Sequence, residues 1–186
     1  MNWKEYTAGF ENIINGSFTD APYDKPNYVN YAKLNKSRVS RWEKKIELSD
    51  DLKNVLSQIS SPQTWILITE HWCGDAANSS PIIKKMSEQS NLITFDIQFR
   101  DKEPFLINQY LTNGGKSIPK LIVRDENGKD LFTWGPRPSG AQELVMSHKD
   151  STLITAEKQA ALQVWYNNDK GESTQEELAN YFKETL

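Results

Sequence analysis

The run Thr64-Trp-Ile-Leu-Ile-Thr69 constrains this chain more than any other feature. It is β-branched and almost continuously apolar, so it has no polar face to turn toward water. A strand of that kind sits centrally in a sheet and is covered on both faces by helices. Ser60-Ser61-Pro62 punctuates the chain before it, and Cys73-Gly74-Asp75 follows it.

The flanking segments supply the rest of such a sheet. Ser49-Asp50-Asp51 opens a helix, because a side-chain oxygen caps the first free N–H groups and the acids suit the positive dipole end. Leu52, Val55, Leu56 and Ile59 share one face and predict that helix to about residue 59. Ile82, Ile83 and Met86 predict a helix ending near Ser90, followed by a strand over 92–99 and a helix over 103–111. Asn113-Gly114-Gly115 ends that helix, since glycine reaches positive φ freely. Runs at 120–124 and 130–134 flank Glu126-Asn127-Gly128, a hairpin signal, and a closing helix begins at 142–146. The order defines an α/β core over about 49–147.

Both ends read as helical. Apolar residues at 3, 6, 10, 13 and 14 predict a short amphipathic helix, and 15–26 reads as a turn-rich connector. Tyr28, Tyr31, Leu34, Arg38 and Trp42 fall on one helical face. Helices are predicted over 155–166 and 176–182, the latter opened by a capping box, Ser173-Thr-Gln-Glu176. Residues 1–48 and 148–186 are therefore expected to pack as extensions on a single domain spanning 1–186.

Composition excludes several classes. The formal net charge is −3, with no long run of one sign, so nucleic acid is not an expected partner. No basic segment precedes an apolar run at the start, and no apolar stretch approaches membrane-spanning length; neither a signal nor a membrane role is expected. A single cysteine cannot close an intramolecular disulfide, which fits a reducing, cytoplasmic compartment. One Cys and two His argue against an all-Cys/His zinc site, and no metal or cofactor is expected. Oligomeric state has no signature in the sequence.

Trp72-Cys73-Gly74-Asp75-Ala76 after the apolar strand, Pro81 in the next helix, Ile118-Pro119 before the hairpin and Gly135 after it stand in one order. In that order the chain resembles the thioredoxin superfamily over about 49–147. The family's reactive motif is Trp-Cys-Gly-Pro-Cys, with a helix proline eight residues beyond the first cysteine and a cis-proline before the hairpin. Glu70-His71-Trp72-Cys73-Gly74-Asp75 is closer to a bacterial branch of thioredoxin-like proteins carrying Glu-x-Trp-Cys-x-Asp. The resemblance implies a thioredoxin-like fold, a mixed sheet flanked by helices, with Cys73 as the reactive thiol. It implies a cis bond at Pro119 that presents neighbouring backbone, including Ile118, to a bound peptide or thiol. Three departures matter. Ala76 stands in place of the resolving cysteine, Asp75 in place of the intervening proline, and Leu67 in place of a buried aspartate. A two-cysteine cycle is not available to this chain alone.

At the junction of strand and helix, Cys73 meets free N–H groups and a positive dipole end, which favour the thiolate. Asp75 opposes that charge, and a protonated His71 would favour it. Cys73 is therefore either a reactive thiol or a small hydrophobe in a decayed site. Trp72 and Trp134 read as a flat apolar landing surface beside the thiol, or as core. Arg137, between prolines, reads as a grip for a ligand carboxylate or as a solvated side chain. Gly74 shapes the helix start, while Glu70 and His71 are candidate modulators of the thiol. Two functions follow. In the first, Cys73 exchanges with a protein disulfide or a low-molecular-weight thiol through a mixed disulfide that an external thiol resolves. In the second, the chain is a non-catalytic binding module on the same fold.

Overall fold

The computed structural model describes residues 1–149 and 151–186. The apolar run forms β1 (Gln63–Thr69), buried at every position except Thr64. It pairs in parallel with β2 (Ile93–Phe99) and antiparallel with β3 (Lys120–Arg124), and β4 (Asp130–Trp134) adds antiparallel to β3. The sheet order is β2-β1-β3-β4, with Leu67 opposite Ile97 on one side and Leu121 on the other. Alternation along β1 divides the interior in two. Trp65 and Leu67 enter the larger apolar cluster, where Trp65 stacks on Phe182 with centroids 5.1 Å apart. Ile66 and Ile68 enter a smaller cluster with Ile107, Ile118, Ile122 and Cys73. The thiol thus belongs to an apolar layer on one face of the sheet.

Among the described residues seven α-helices surround this sheet: α1 (Trp3–Ile14), α2 (Pro26–Lys45), α3 (Asp50–Leu56), α4 (Gly74–Ser87), α5 (Ser139–Ser147), α6 (Thr155–Asp169) and α7 (Glu172–Thr185). Local chemistry sets several starts. Asn2 and Glu5 form a reciprocal capping box for α1, and the Ser49 hydroxyl accepts the Leu52 N–H at 3.2 Å to open α3. The ends dock differently. α1 buries Tyr6, Phe10 and Ile13, and α7 buries Leu178, Ala179 and Phe182, whereas α6 buries Tyr166 alone. No helix among the described residues is long and apolar enough to cross a membrane.

Two expectations fail locally. The helix expected over 103–111 is a single 3-10 turn, Leu106–Gln109. Pro104 lacks the N–H a helix interior needs, and Phe105 takes a left-handed conformation at φ 53°. The capping box expected at Ser173 is absent, because α7 begins earlier, behind Gly171. The Ser173 N–H and hydroxyl both donate to Asp169 at the end of α6 instead. Other boundaries move by a few residues, as when α3 stops at Leu56 rather than near 59.

Candidate functional site

Cys73 is the N-cap of α4, and the local hydrogen bonds explain how the chain holds it there. The Asn35 side-chain amide donates to the His71 carbonyl at 2.9 Å, and the Cys73 N–H returns to the Glu70 carbonyl at 3.1 Å. The sulfur accepts the Ala76 N–H at 3.4 Å and its S–H donates to the Ile118 carbonyl at 3.3 Å. Thus the loop before β3, with the Ile118–Pro119 bond cis, lies directly against the thiol. Gly135 borders the same loop at φ +110°, and a Cβ there would lie 2.2 Å from the Pro119 carbonyl oxygen. Only glycine fits that approach.

Electrostatics at this N-cap run against the thiolate. Burial, and then the Asp75 carboxylate, push the Cys73 thiol up to about 12. The amides of Ala76 and Asp75 and the charge of Arg137 pull the other way and lose. Asp75 is held at both oxygens: Arg137 Nη2 donates to one at 2.7 Å and the Tyr166 hydroxyl to the other at 2.7 Å. Arg137 also donates to Gln142 at 2.8 Å. Burial works against the Arg137 charge and Asp75 more than restores it. The pair is mostly enclosed, so losing one partner would strand the other without water.

Above the thiol opens a cleft of about 670 Å³. Of the residues read from the sequence, Trp72, Cys73, Gly74, Asp75, Ile118 and Arg137 line it. The Trp72 ring carries the Arg100 guanidinium 4.7 Å over its face and meets Tyr28 edge-on at 6.0 Å. Pro119 lies just behind Ile118 and is buried.

Trp134, read either as a surface beside the thiol or as core, is core and does not reach the cleft. Alternation along β4 turns Phe132 and Trp134 toward α7, and the Trp134 indole donates to Glu177 at 2.8 Å. His71 also departs from expectation. Its ring stacks on Tyr6 at 4.8 Å, Nε2 lies 2.8 Å from the Tyr6 carbonyl oxygen, and burial pulls it down to about 4. A neutral ring facing α1 lends no positive charge to the thiol. Glu70 points to that side too, accepting the Asp101 N–H at 3.0 Å, and burial raises it to about 7. Successive pairs of residues after β1 thus face opposite ways, Glu70 and His71 toward a separate crevice beneath α1, Trp72 and Cys73 toward the cleft.

Sequence reasoning missed several cleft residues. Tyr166 holds Asp75 from the last helical turns of α6, more than ninety positions away in the chain. Lys116 and Lys158 have no motif around them. Arg38 was visible in the stripe Tyr28, Tyr31, Leu34, Arg38 and Trp42, whose first four residues line the cleft while Trp42 is buried in the core. Lys120, buried beside Pro119, donates to Thr112 at 2.8 Å and to the Gly135 carbonyl at 3.1 Å. It ties together the loops on either side of the thiol.

A four-stranded mixed sheet with a cysteine at the amino end of the following helix, against a proline loop, is the arrangement of a thioredoxin-like protein. A family model described as Thioredoxin matches residues 23–162, and the chain belongs to that family. The match extends beyond 49–147 on both sides and takes in α2 and the first half of α6. A protein of unknown function from Pseudomonas aeruginosa has a similar structure, with TM-score 0.61 and 18% identity, covering 82% of this chain and 86% of that one. An HIV epitope-scaffold is similar at TM-score 0.59 and 16% identity, covering 84% and 92%. At these identities the likeness concerns the fold. No curated protein matches the sequence.

Proposed function

We propose that this thioredoxin-family chain works through one thiol, exchanging with disulfides by a mixed disulfide at Cys73. The supporting observation is the position of the sulfur, capped by the Ala76 N–H at the floor of a cleft large enough for a small ligand. In the first step the Cys73 S–H gives up its proton, and the thiolate attacks one sulfur of a disulfide. A Cys73–ligand disulfide forms, the ligand's own S–S bond breaks, and the departing thiolate takes up a proton. An external thiol then attacks the mixed disulfide, frees Cys73 and leaves as part of a new disulfide. Electrons come from that external thiol, since Ala76 supplies no second sulfur.

A second reading has its own support. The thiol is 6% exposed, protonated at rest and already bonded to Ile118. Those properties suit a binding module whose cysteine is inert. Under the exchange reading, attack is slow at neutral pH and accelerates about tenfold per pH unit toward 12, because thiolate is the nucleophile. The measurement is intact mass after incubation with oxidised glutathione between pH 7 and 10. A single glutathionyl adduct whose rate climbs without a plateau supports exchange. A folded protein that takes no adduct at pH 10, yet reacts once denatured, leaves the binding module as the better description.

A further inference from the structure

The cleft over Cys73 is strongly one-sided in charge. Arg38 from α2, Arg100 after β2, Lys116 before β3, Arg137 after β4 and Lys158 from α6 all line it, and among the described residues the only acid lining it is Asp75. Five cations from five segments converge in a chain whose net charge is −3. Asp75 is no free counterion, since Arg137 and Tyr166 occupy its two oxygens. Arg100 is paired with Asp101. Arg38, Lys116 and Lys158 form no ion pair among the described residues.

Arg38 is the most telling of the three. Its guanidinium is half-buried, and among the described residues its one side-chain hydrogen bond is to the neutral Asn35 at 2.8 Å. Burial and then the neighbouring Arg41 disfavour its charge, and the Asp75 carboxylate offsets them only in part. Adding negative charge in front of it would relieve that cost. The Trp72 indole N–H is buried and has no acceptor among the described residues. Tyr28 and Trp72 supply an aromatic side against which an uncharged part of a ligand can lie.

We propose that this cleft selects a small molecule with at least two anionic groups, so that the sulfur compound presented to Cys73 is a polyanionic low-molecular-weight thiol or disulfide. Protein disulfides with neutral or basic surroundings are poor ligands on this reading. The sulfur half rests on the exchange function proposed above; the charge half does not. Carboxylates and phosphates share the chemistry, because guanidinium forks and ammonium groups accept either.

The experiment removes the thiol first. Calorimetric titration of the Cys73→Ser protein uses oxidised glutathione as the carboxylate probe, coenzyme A disulfide as the phosphate probe, and cystamine as a dicationic disulfide. At least one anionic probe is expected to bind about tenfold or more tighter than cystamine, and to weaken several-fold as salt rises from 50 to 300 mM. Binding by only one anionic probe assigns the ligand to that anion class. Lys116→Ala and Lys158→Ala remove side chains outside the apolar core, so both proteins should fold, and each should weaken binding about three- to tenfold. Anionic binding to Cys73→Ser without any adduct on the wild-type chain upholds the cleft and sinks the exchange reading. Equal binding of cystamine, or no binding by either anion, overturns the inference whatever Cys73 does.

Discussion

Helices α1 and α6 wall opposite sides of the segment that runs from Glu70 to Asp75, and they are held there by different forces. α1 docks by apolar area: Tyr6 and Phe10 are 1% exposed, and both rings pack on His71. α6 docks by polar groups on one side. Tyr166 reaches Asp75, Gln163 exchanges hydrogen bonds with Asn78 at 3.1 and 3.2 Å, and Asn167 accepts from Arg41 at 2.8 Å. Its large apolar residues are less enclosed than those of α1: Leu162 and Trp165 are only partly buried, and Val164 is 56% exposed. Apolar docking is non-directional and tolerates small shifts, whereas a side-chain hydrogen bond is worth only about 0.5–1.5 kcal/mol net and fails when its geometry does. The crevice side is therefore expected to be the more firmly held wall of the motif, and the cleft side the wall more easily displaced.

The largest effect expected from this contrast is on the α1 side. Phe10→Ala removes a fully buried ring and leaves a cavity beside His71, a change that costs roughly 3–5 kcal/mol. Urea denaturation of the full chain measures it. A loss below about 1 kcal/mol would mean that α1 is only loosely attached and that the two walls do not differ.

The next effect is a pH dependence confined to the same side. Burial holds the folded His71 at about 4, below its ordinary 6.5. Its contribution to stability is complete above about pH 6.5 and is lost as the pH falls toward 4, because the unfolded chain takes up a proton that the folded one refuses. Glu70 runs oppositely: held at about 7 by burial, its contribution is complete below its ordinary 4.5 and lost as the pH rises through 7. His71→Gln removes the first dependence and leaves the second. At about 1.4 kcal/mol per pH unit, the stability gap between wild type and variant should change by about 3 kcal/mol between pH 7.5 and 4. A constant gap would show that the ring is not held neutral. Gly9 tightens the same contact, because a Cβ there would lie 2.5 Å from Nε2, so Gly9→Ala should lower stability as well.

The sheet was legible because β1 states its own environment: a run without a polar face must be covered twice, and its neighbours fell into order around it. Cys73, Asp75 and Ile118-Pro119 were legible because strand end, helix start and hairpin fix where they come together. Trp134 was not, since a tryptophan at a strand's end suits core and cleft equally and only the partner of its N–H, Glu177, decides. His71 failed for a similar reason. One residue's shift along the loop turns a ring from the thiol to α1, and the sequence does not display the aromatic wall of Tyr6 and Phe10 as its destination. Tyr166, Lys116 and Lys158 come from distant segments whose convergence depends on how α6 lies across the sheet. Propensity for a helix over 155–166 said nothing of where that helix would pack.

The smallest expected effect tests the yielding wall itself. Tyr166→Phe keeps the ring and deletes the hydroxyl that donates to Asp75 at 2.7 Å. A hydrogen bond to a carboxylate is worth more than a neutral one, so the loss should be about 1.5–3 kcal/mol locally. Arg137 still holds the other oxygen, and α6 can detach without unfolding the sheet, so global stability should fall by less than that, about 1 kcal/mol. The readout that separates local from global change is amide hydrogen exchange. Protection across α6 should drop while protection in α1 and β1 stays close to wild type. If α1 and α6 lost protection together, the two walls would be one cooperative unit, and the difference drawn between them would not exist.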